Sequence, residues 1–416
     1  MIACSIQNQP PGWISSRLRW ATMVVGVMAT TLSTGCQGLR WGLGGRHPQR
    51  SIQAVWVTRW DYKSPGDIAR VMQNCQAAGF NTVLFQVRGN GTVCYPSKIE
   101  PWAAEMGGRN PGFDPLAVAV AEAHRRNLKI HAWVNVIPGW RGDAPPDHPR
   151  QLYNAHPDWF WHDANGRPQP LGWYVSVNPV YPEVRAHIVS VMEEIVSGYD
   201  VDGLHLDYVR FPNEWNDSWP PGAAIPDYPR DPRTLGMFRR VTGRSPEQAP
   251  AAWNAFRTEA VTQVVRDIRK MMLQKNPKIV LSAAVGASPN ESRQRYFQDA
   301  RRWVSEGLLD AVYPMNYAAN MHVYSKRLVG WNAIRGSVPM VTGIMFDKQS
   351  PADVRRRIEY ALETGGNFAA FAYNSLFERL DEHGRPLMDE QSPSRAKLRK
   401  HLIPYLRRAS SQVAGR

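Results

Sequence analysis

The sequence predicts an α/β fold, a (β/α)8 (TIM) barrel with long loops at its C-terminal face, and three observations predict it. From Ile52 onward, short runs rich in Val, Ile and aromatic residues alternate with helix-length periodic stretches. The alternation repeats eight times, enough to close a barrel, and no Gly-rich phosphate loop follows the first run, as an open doubly wound sheet would require. The long insertions all follow strands, on the side where barrels build their sites.

In chain order the expected strands are Ala54–Trp60, Thr82–Arg88, Lys129–Val136, Gly203–Phe211, Ile279–Gly286, Ala311–Tyr317, Val338–Met345 and Phe368–Asn374. Periodic helical stretches fall at Pro65–Ala78, Pro115–Asn127, Pro182–Ser197, Ala251–Lys275, Gln294–Glu306, Val323–Ile334, Pro351–Glu363 and Ser394–Arg407. Pro65, Pro115, Pro182 and Pro351 stand at helix starts, where a missing N–H costs nothing, and Gly79 and Gly365 stand where helices stop. Long loops rich in Pro, Trp and Asp follow the second strand (Gly89–Gly112), the third (Ile137–Asn178) and the fourth (Pro212–Ala249). Their aromatic content argues against disorder.

Ahead of the barrel, Arg17 and Arg19 precede an apolar stretch, Trp20 to Leu32, which closes on Ser33-Thr34-Gly35-Cys36. This is the order of a secretory signal, and its small residues before a cysteine resemble a bacterial lipoprotein signal, with Cys36 the residue to be lipidated. The expected organisation is a signal over 1–36, a Gly-rich tether over 37–50, the barrel over 51–408 and a disordered tail over 409–416. Export to the periplasm or cell surface is expected, with attachment to the membrane through a lipid anchor or an uncleaved signal. Cys4 and Cys36 lie in the leader, so only Cys75 and Cys94 remain in the body, where they could form one bridge.

Formal charge is +14, from 50 Lys+Arg against 36 Asp+Glu. Such a balance suits an anionic surface or polymer. There is no dense basic run with interleaved aromatics and no zinc-finger spacing, so nucleic acid is not an expected partner.

The most informative segment is Val201 to Phe211. Strand alternation puts Gly203, His205 and Asp207 on one face and Leu204, Leu206 and Tyr208 on the other. The apolar face is the one helices would cover, so His205 and Asp207 should point into the barrel. A carboxylate there is costly to bury unless paired, which makes Asp207 either half of a structural ion pair with Arg59 or Arg88 or a working group. Other strand ends aim polar groups at the same mouth: Asp61, Gln86, Arg88, Asn135, Asn316, Tyr317, Asp347 and Asn374. His131, His205 and Asp207 could suggest a metal, but the first strand lacks the His-x-His pair such barrels carry, so neither a metal nor any other cofactor is expected.

Five segments together resemble a known family: Ala54-Val55-Trp56-Val57-Thr58; Gly79-Phe80-Asn81-Thr82-Val83 with Gln86-Val87-Arg88-Gly89; Ala132-Trp133-Val134-Asn135; Asp202 through Pro212; and Tyr313-Pro314-Met315-Asn316-Tyr317. They are similar to glycosyl hydrolase-like family 10, bacterial envelope proteins that are often lipoproteins, some implicated in cleaving peptidoglycan glycan strands stripped of stem peptides. The resemblance spans roughly residues 52 to 380. It implies a (β/α)8 glycosidase fold, a carbohydrate substrate and an envelope location. More distantly, the fourth strand resembles the Asp-Gly-x-Asp-x-Asp-x-Glu strand of family 18 chitinases. Here Val209 stands where those enzymes place an acidic Glu, and His205 replaces an Asp, so their substrate-assisted chemistry does not carry over.

Glycosidic hydrolysis normally uses two carboxyl groups. Asp207 is the expected first. For the second, Asp347 and Glu291 lead, ahead of Asp61 and the loop acids Glu100 and Glu105. Sugar contacts are expected from Asp61, Gln86, Arg88, Asn135, His205, Asn316 and Tyr317. Flat platforms are expected from Trp133 and the loop residues Trp102, Trp140, Trp159, Trp161, Trp173 and Trp215, although an ordinary core role is open to each. Arg88 could meet an acidic sugar substituent, and His205 is equally readable as a satisfied core histidine. The expectation is a glycoside hydrolase acting on an envelope polysaccharide, peptidoglycan glycan strands; the alternative is a non-catalytic glycan-binding envelope lipoprotein on the same barrel.

Overall fold

In the computed structural model, residues 51–211, 227–318, 320–381 and 385–414 are described. The leader, the tether and Cys36 lie outside them. So does Trp215.

The parallel strands β1 (Gln53–Val57), β2 (Thr82–Arg88), β3 (Lys129–Asn135), β6 (Gly203–Asp207), β7 (Val280–Gly286), β8 (Ala311–Met315), β9 (Thr342–Met345) and β10 (Phe368–Phe371) close into a barrel in that order, β10 pairing with β1. The remaining strands, β4 (Pro138–Arg141) and β5 (Tyr174–Ser176), form an antiparallel pair inside the loop after β3. The barrel helices are α1 (Pro65–Ala78), α2 (Pro115–His124), α4 (Pro182–Gly198), α6 (Pro250–Lys275), α9 (Met321–Asn332), α10 (Pro351–Gly365) and α11 (Ser392–Ala414). Between β7 and β8 lie two short helices, α7 (Pro289–Tyr296) and α8 (Ala300–Ser305). Further helices α3 (Leu152–Ala155) and α5 (Pro232–Thr242) belong to the loops after β3 and β6.

Local chemistry explains the boundaries. Ser64 caps α1: its Oγ accepts from Asp67 N–H at 3.1 Å while Asp67 accepts from Ser64 N–H at 2.9 Å, a reciprocal capping box. Gly79 ends the helix at φ 96°, and a Cβ there would stand 3.0 Å from the backbone of α11, so both conformation and packing demand glycine. The single helix expected over Gln294–Glu306 is two. Ser288 and Asp299 each supply an N-cap, and Phe297 between them turns the chain at φ 52°. The last helix runs on to Ala414, through part of the segment expected to be a tail.

Strand pleating divides the apolar residues into two cores. Val55, Val57, Val83, Phe85, Ile130, Leu204 and Leu206 join the larger cluster with the helices. Ala54, Trp56, Leu84, Trp133 and Tyr313 fill the barrel itself. Cys75 and Cys94 are separate buried thiols, not a bridge, and burial pushes both above the ordinary thiol range.

The loop after β2 is held down by charge. Arg88 donates from Nε and Nη2 to Glu100 Oε2 and Oε1 at 2.8 and 2.7 Å, and also bonds the carbonyls of Asn135 and Val136 at the end of β3. His187 on α4 donates to the same carboxylate at 3.0 Å. Burial alone would raise Glu100, but the Arg88 charge and the His187 hydrogen bond prevail and hold its carboxyl at about 2. Replacing Glu100 by Gln therefore strands a fully buried guanidinium, with an expected loss of about 3–5 kcal/mol read as a fall in the urea midpoint. Because the folded carboxyl lies below the ordinary value of 4.5, its contribution is complete above about pH 4.5 and fades as pH drops toward about 2. An acid titration of the Gln variant should lack that component; an unchanged urea midpoint would contradict the assignment.

Candidate active site

Asp207 is the last residue of β6 and lies one pleat above His205 on the inward face. His205 is wholly buried beneath it. Trp56 Nε1 donates to His205 Nε2 at 3.1 Å, so Nδ1 carries the proton and donates to Ser282 Oγ at 2.9 Å. Burial pushes the imidazole well below its ordinary pKa, and it is neutral. Tyr313 packs edge-on against both rings, at centroid distances of 4.8 and 6.0 Å. These groups form the floor.

Above the floor a cavity of about 680 Å³ opens at the C-terminal mouth. Asp207, 6 % exposed, lines it and accepts from the N–H of Tyr208 at 2.7 Å through Oδ1. Tyr208 takes φ 48°, a left-handed conformation uncommon for a residue with a Cβ, so the chain turns sharply immediately after the carboxylate. Burial first, and then the negative charge of Asp207, push the Tyr317 phenol well above its ordinary value. Tyr317 is thus a protonated hydroxyl within the electrostatic reach of Asp207.

The walls are largely aromatic: Trp60, Trp133, Trp173, Tyr174, Tyr296 and Phe371 all line the cavity. Arg141, Arg210, Arg295 and Arg327 supply positive charge around them. Arg141 lies 4.6 Å over the ring of Trp173, and Arg210 lies 4.4 Å over that of Tyr208. Gln86 and Asn135 complete the polar wall, joined by a 3.3 Å hydrogen bond and tied back to Arg59 N–H and Gly89 C=O. Among the described residues, the indole N–H groups of Trp133 and Trp173 have no hydrogen-bond partner.

Of the sequence-predicted residues, the structure brings Asp207, Glu291, Gln86, Trp133, Asn135, Trp173 and Tyr317 to this cavity. Glu291 sits on α7 at the rim, its side chain 46 % exposed and paired with Arg295 at 3.0 Å. The others go elsewhere. Asp347 lies outside the lining: Phe346 packs in the outer core while its N–H bonds the Phe371 carbonyl at 3.0 Å, and Asp347 falls in the turn beyond β9. Asp61 folds back onto Thr58, accepting from its N–H and hydroxyl at 2.7 and 2.8 Å; burial raises it to about 6. Arg88 is consumed by Glu100, and Arg59 by Glu105 at 2.6 Å, so neither arginine pairs with Asp207 and neither loop acid is free for catalysis. His205 has both nitrogens engaged in the floor and cannot hold a sugar. Asn316 is buried and donates to the Tyr324 carbonyl. Trp102 packs against the outer core, and Trp161 is buried against Phe211. Trp159 stacks on His156, and Trp140 lines a separate depression while bonding the Ala144 carbonyl.

Sequence reasoning missed Trp60, Arg141, Tyr174, Tyr208, Arg210 and Tyr296. Only Trp60 had a usable signal, since it continues the inward parity of Trp56 and Thr58. Among the described residues, no group of three or more His, Cys, Asp or Glu side chains is placed to share a metal ion.

The barrel and its mouth define a class: a (β/α)8 protein whose aromatic cavity surrounds a strand-end carboxylate. The chain belongs to the family described as Glycosyl hydrolase-like 10, whose model matches residues 51–346. It is similar to the glycosyl hydrolase DigH of Escherichia coli, with 29% identity over 313 residues, 65% of each chain. It is also similar to the glycosyl hydrolase YngK of Bacillus subtilis, with 25% identity over 64% of this chain and 54% of that one. The matched region thus spans less than two thirds of these relatives' own length. Among solved structures, the glycoside hydrolase domain of PgaB from Bordetella bronchiseptica superposes with a TM-score of 0.59 at 14% identity, over 77% of this chain and 94% of that one. The catalytic domain of a β-amylase from Paenibacillus polymyxa gives 0.57 at 10%, over 86% and 99%. These two establish the shared fold. Family membership supports a glycosidase-type function.

The indole of Trp133 yields a two-part expectation. Trp133→Phe keeps a ring in the wall but removes part of an indole that helps fill the barrel, so thermal stability should fall by about 1 kcal/mol or more. Because the indole also lines the cavity, the smaller ring should lower glycan affinity by about three- to tenfold. Calorimetric titration beside a melting curve reads both; an unchanged affinity would assign the indole a purely structural place.

Proposed function

We propose that the chain is a glycoside hydrolase acting on a bacterial cell-envelope polysaccharide, peptidoglycan glycan strands, with Asp207 as its central carboxylate. The observation that carries this reading is Asp207 itself: an inward, nearly buried carboxylate at the mouth of a glycosidase-type barrel, walled by indole and phenol rings and not spent on Arg59 or Arg88. Flat rings stack on sugar faces, and a carboxylate beside them can act as acid, base or nucleophile at a glycosidic bond. Tyr317, held protonated, offers a hydrogen-bond donor on the same side. Glu291 is the other described carboxylate of the lining. In this proposal it supplies the second carboxyl function from the rim. The similarity to proteins named glycosyl hydrolases supports the reading.

The protein and its Asp207→Asn variant, incubated with intact peptidoglycan, peptide-stripped glycan strands and chitin oligomers, provide the test. Mass analysis should show new reducing ends on stripped strands from the native protein, and a rate about 10²–10⁴ lower for the variant. Binding without new ends would favour the glycan-binding alternative, and anhydro termini would mean lytic rather than hydrolytic cleavage.

We further propose export and attachment at the envelope through Cys36. The support is the sequence order of Arg17 and Arg19, an apolar run, and small residues before the cysteine. Among the described residues, no helix is long and apolar enough to cross a membrane. Cys36→Ser should move the protein from the membrane to the soluble fraction after export. Retention of the variant in the membrane would point to an uncleaved signal.

A further inference from the structure

A second depression, a neighbouring arm of about 520 Å³ over α7 and α9, shares Ser288, Glu291 and Arg327 with the cavity. Beyond the shared residues, this arm carries Arg301, His322 and Lys326. Its one described carboxylate is Glu291, already bound to Arg295 at 3.0 Å.

What marks these cations is that they share one groove without an internal partner. Nearby arginines are neutralised within the protein: Arg293 by Asp299 at 3.0 Å, Arg302 by Glu306 at 2.6 Å, Arg266 by Glu306 at 2.9 Å. Among the described residues, Arg301, Lys326 and Arg327 form no ion pair and no side-chain hydrogen bond. Three like charges along one groove repel one another weakly through solvent, and an anion lying between them would relieve that repulsion. Arg141 likewise lines both the cavity and a third depression.

We propose that the groove bearing Arg301, Lys326 and Arg327 is a subsite for carboxylate-bearing sugars of a glycan that continues through the cavity. This rests on the glycan-binding part of the proposed function and adds the place where the carboxylates of such a strand are held. Arg327, lining both arms, would meet the sugar next to the scissile position. Arg301 and Lys326 would meet one farther along.

The test uses the full chain carrying Asp207→Asn, so that binding is measured without turnover. Its ligands are peptide-stripped glycan strands and the same strands with their carboxyl groups chemically reduced to alcohols. At low salt the carboxylated strands should bind about fivefold more tightly, the scale of two partly exposed charge contacts, and the advantage should shrink as sodium chloride is raised. Adding Arg301→Gln and Lys326→Gln should abolish most of that difference. Lys397→Gln with Lys400→Gln, two exposed cations of α11 outside the cleft, should leave it in place. Equal affinity for both strands in the parent would overturn the proposal, and so would equal losses in the groove and control pairs, which would mean only general charge attraction. A protein that shows the preference yet makes no new ends would retain the subsite and lose the hydrolytic reading. Cleavage with no carboxylate preference would do the reverse.

Discussion

The geometry of the mouth depends on one hydrogen-bonded strut inside the barrel. Trp56 on β1, His205 on β6 and Ser282 on β7 are linked in series, indole to imidazole to hydroxyl, at 3.1 and 2.9 Å. Such large polar side chains can be buried because each bond removes a donor and an acceptor that would otherwise be stranded. The strut sets the height of the floor, and strand pleating then places Asp207 one step above it, at the edge of solvent. Because burial keeps His205 neutral, the floor adds no charge beneath the carboxylate. Asp207 therefore stands above a neutral floor at the edge of the cavity.

Around that floor the charges are sorted. Arg88 with Glu100 and Arg59 with Glu105 fix the loop after β2, consuming the two loop acids nearest the mouth. Arg59 also lies 3.9 Å over the ring of Trp60, so the ion pair that pins the loop also supports an aromatic wall. Truncating either partner of such a buried pair harms folding before it harms chemistry. The cations of the α7–α9 groove differ in sharing one groove with no internal partner among the described residues, which is the physical reason for proposing that they meet a ligand.

Most of the architecture was legible because it follows from two periods. Alternation of two along β6 correctly put Gly203, His205 and Asp207 inward, and Gly203 has no room for more, since a Cβ there would sit 2.4 Å from the His131 ring. Apolar runs and Pro-marked helix starts gave all the barrel strands and most helices to within a few residues. What sequence did not disclose was partnership. Asp61, Arg88, His205 and Asn316 were rightly placed at or near strand ends, but whether such a group faces a ligand depends on which neighbour reaches it first, and those neighbours lie far away in sequence. Loop aromatics failed similarly: Trp161 turned into a packed cluster with Phe211, while Trp173, beside the β4–β5 pair, turned toward the cavity. No period governs such loops.

The same backbone bears on the missing chitinase-type acid. In an extended strand, the residue two beyond Asp207 would again face inward, and Val209 would occupy the position of that acid. Here β6 stops at Asp207, Tyr208 takes its left-handed turn, and Val209 is fully buried in the larger apolar cluster. Its carbonyl accepts from Gln298 Nε2 at 3.4 Å, which ties this stretch to the segment between α7 and α8. The departure is thus one of backbone path as well as side chain, since a carboxylate at that position would be directed among apolar groups, where its charged form is disfavoured. Any second carboxyl function must then come from a different element. Among the described residues of the lining that element is α7, whose Glu291 lines both the cavity and the cationic groove. Under the proposed function, bond-breaking and recognition of an acidic chain would share that boundary, where Arg295 pairs with Glu291 and Arg327 is left to meet the chain.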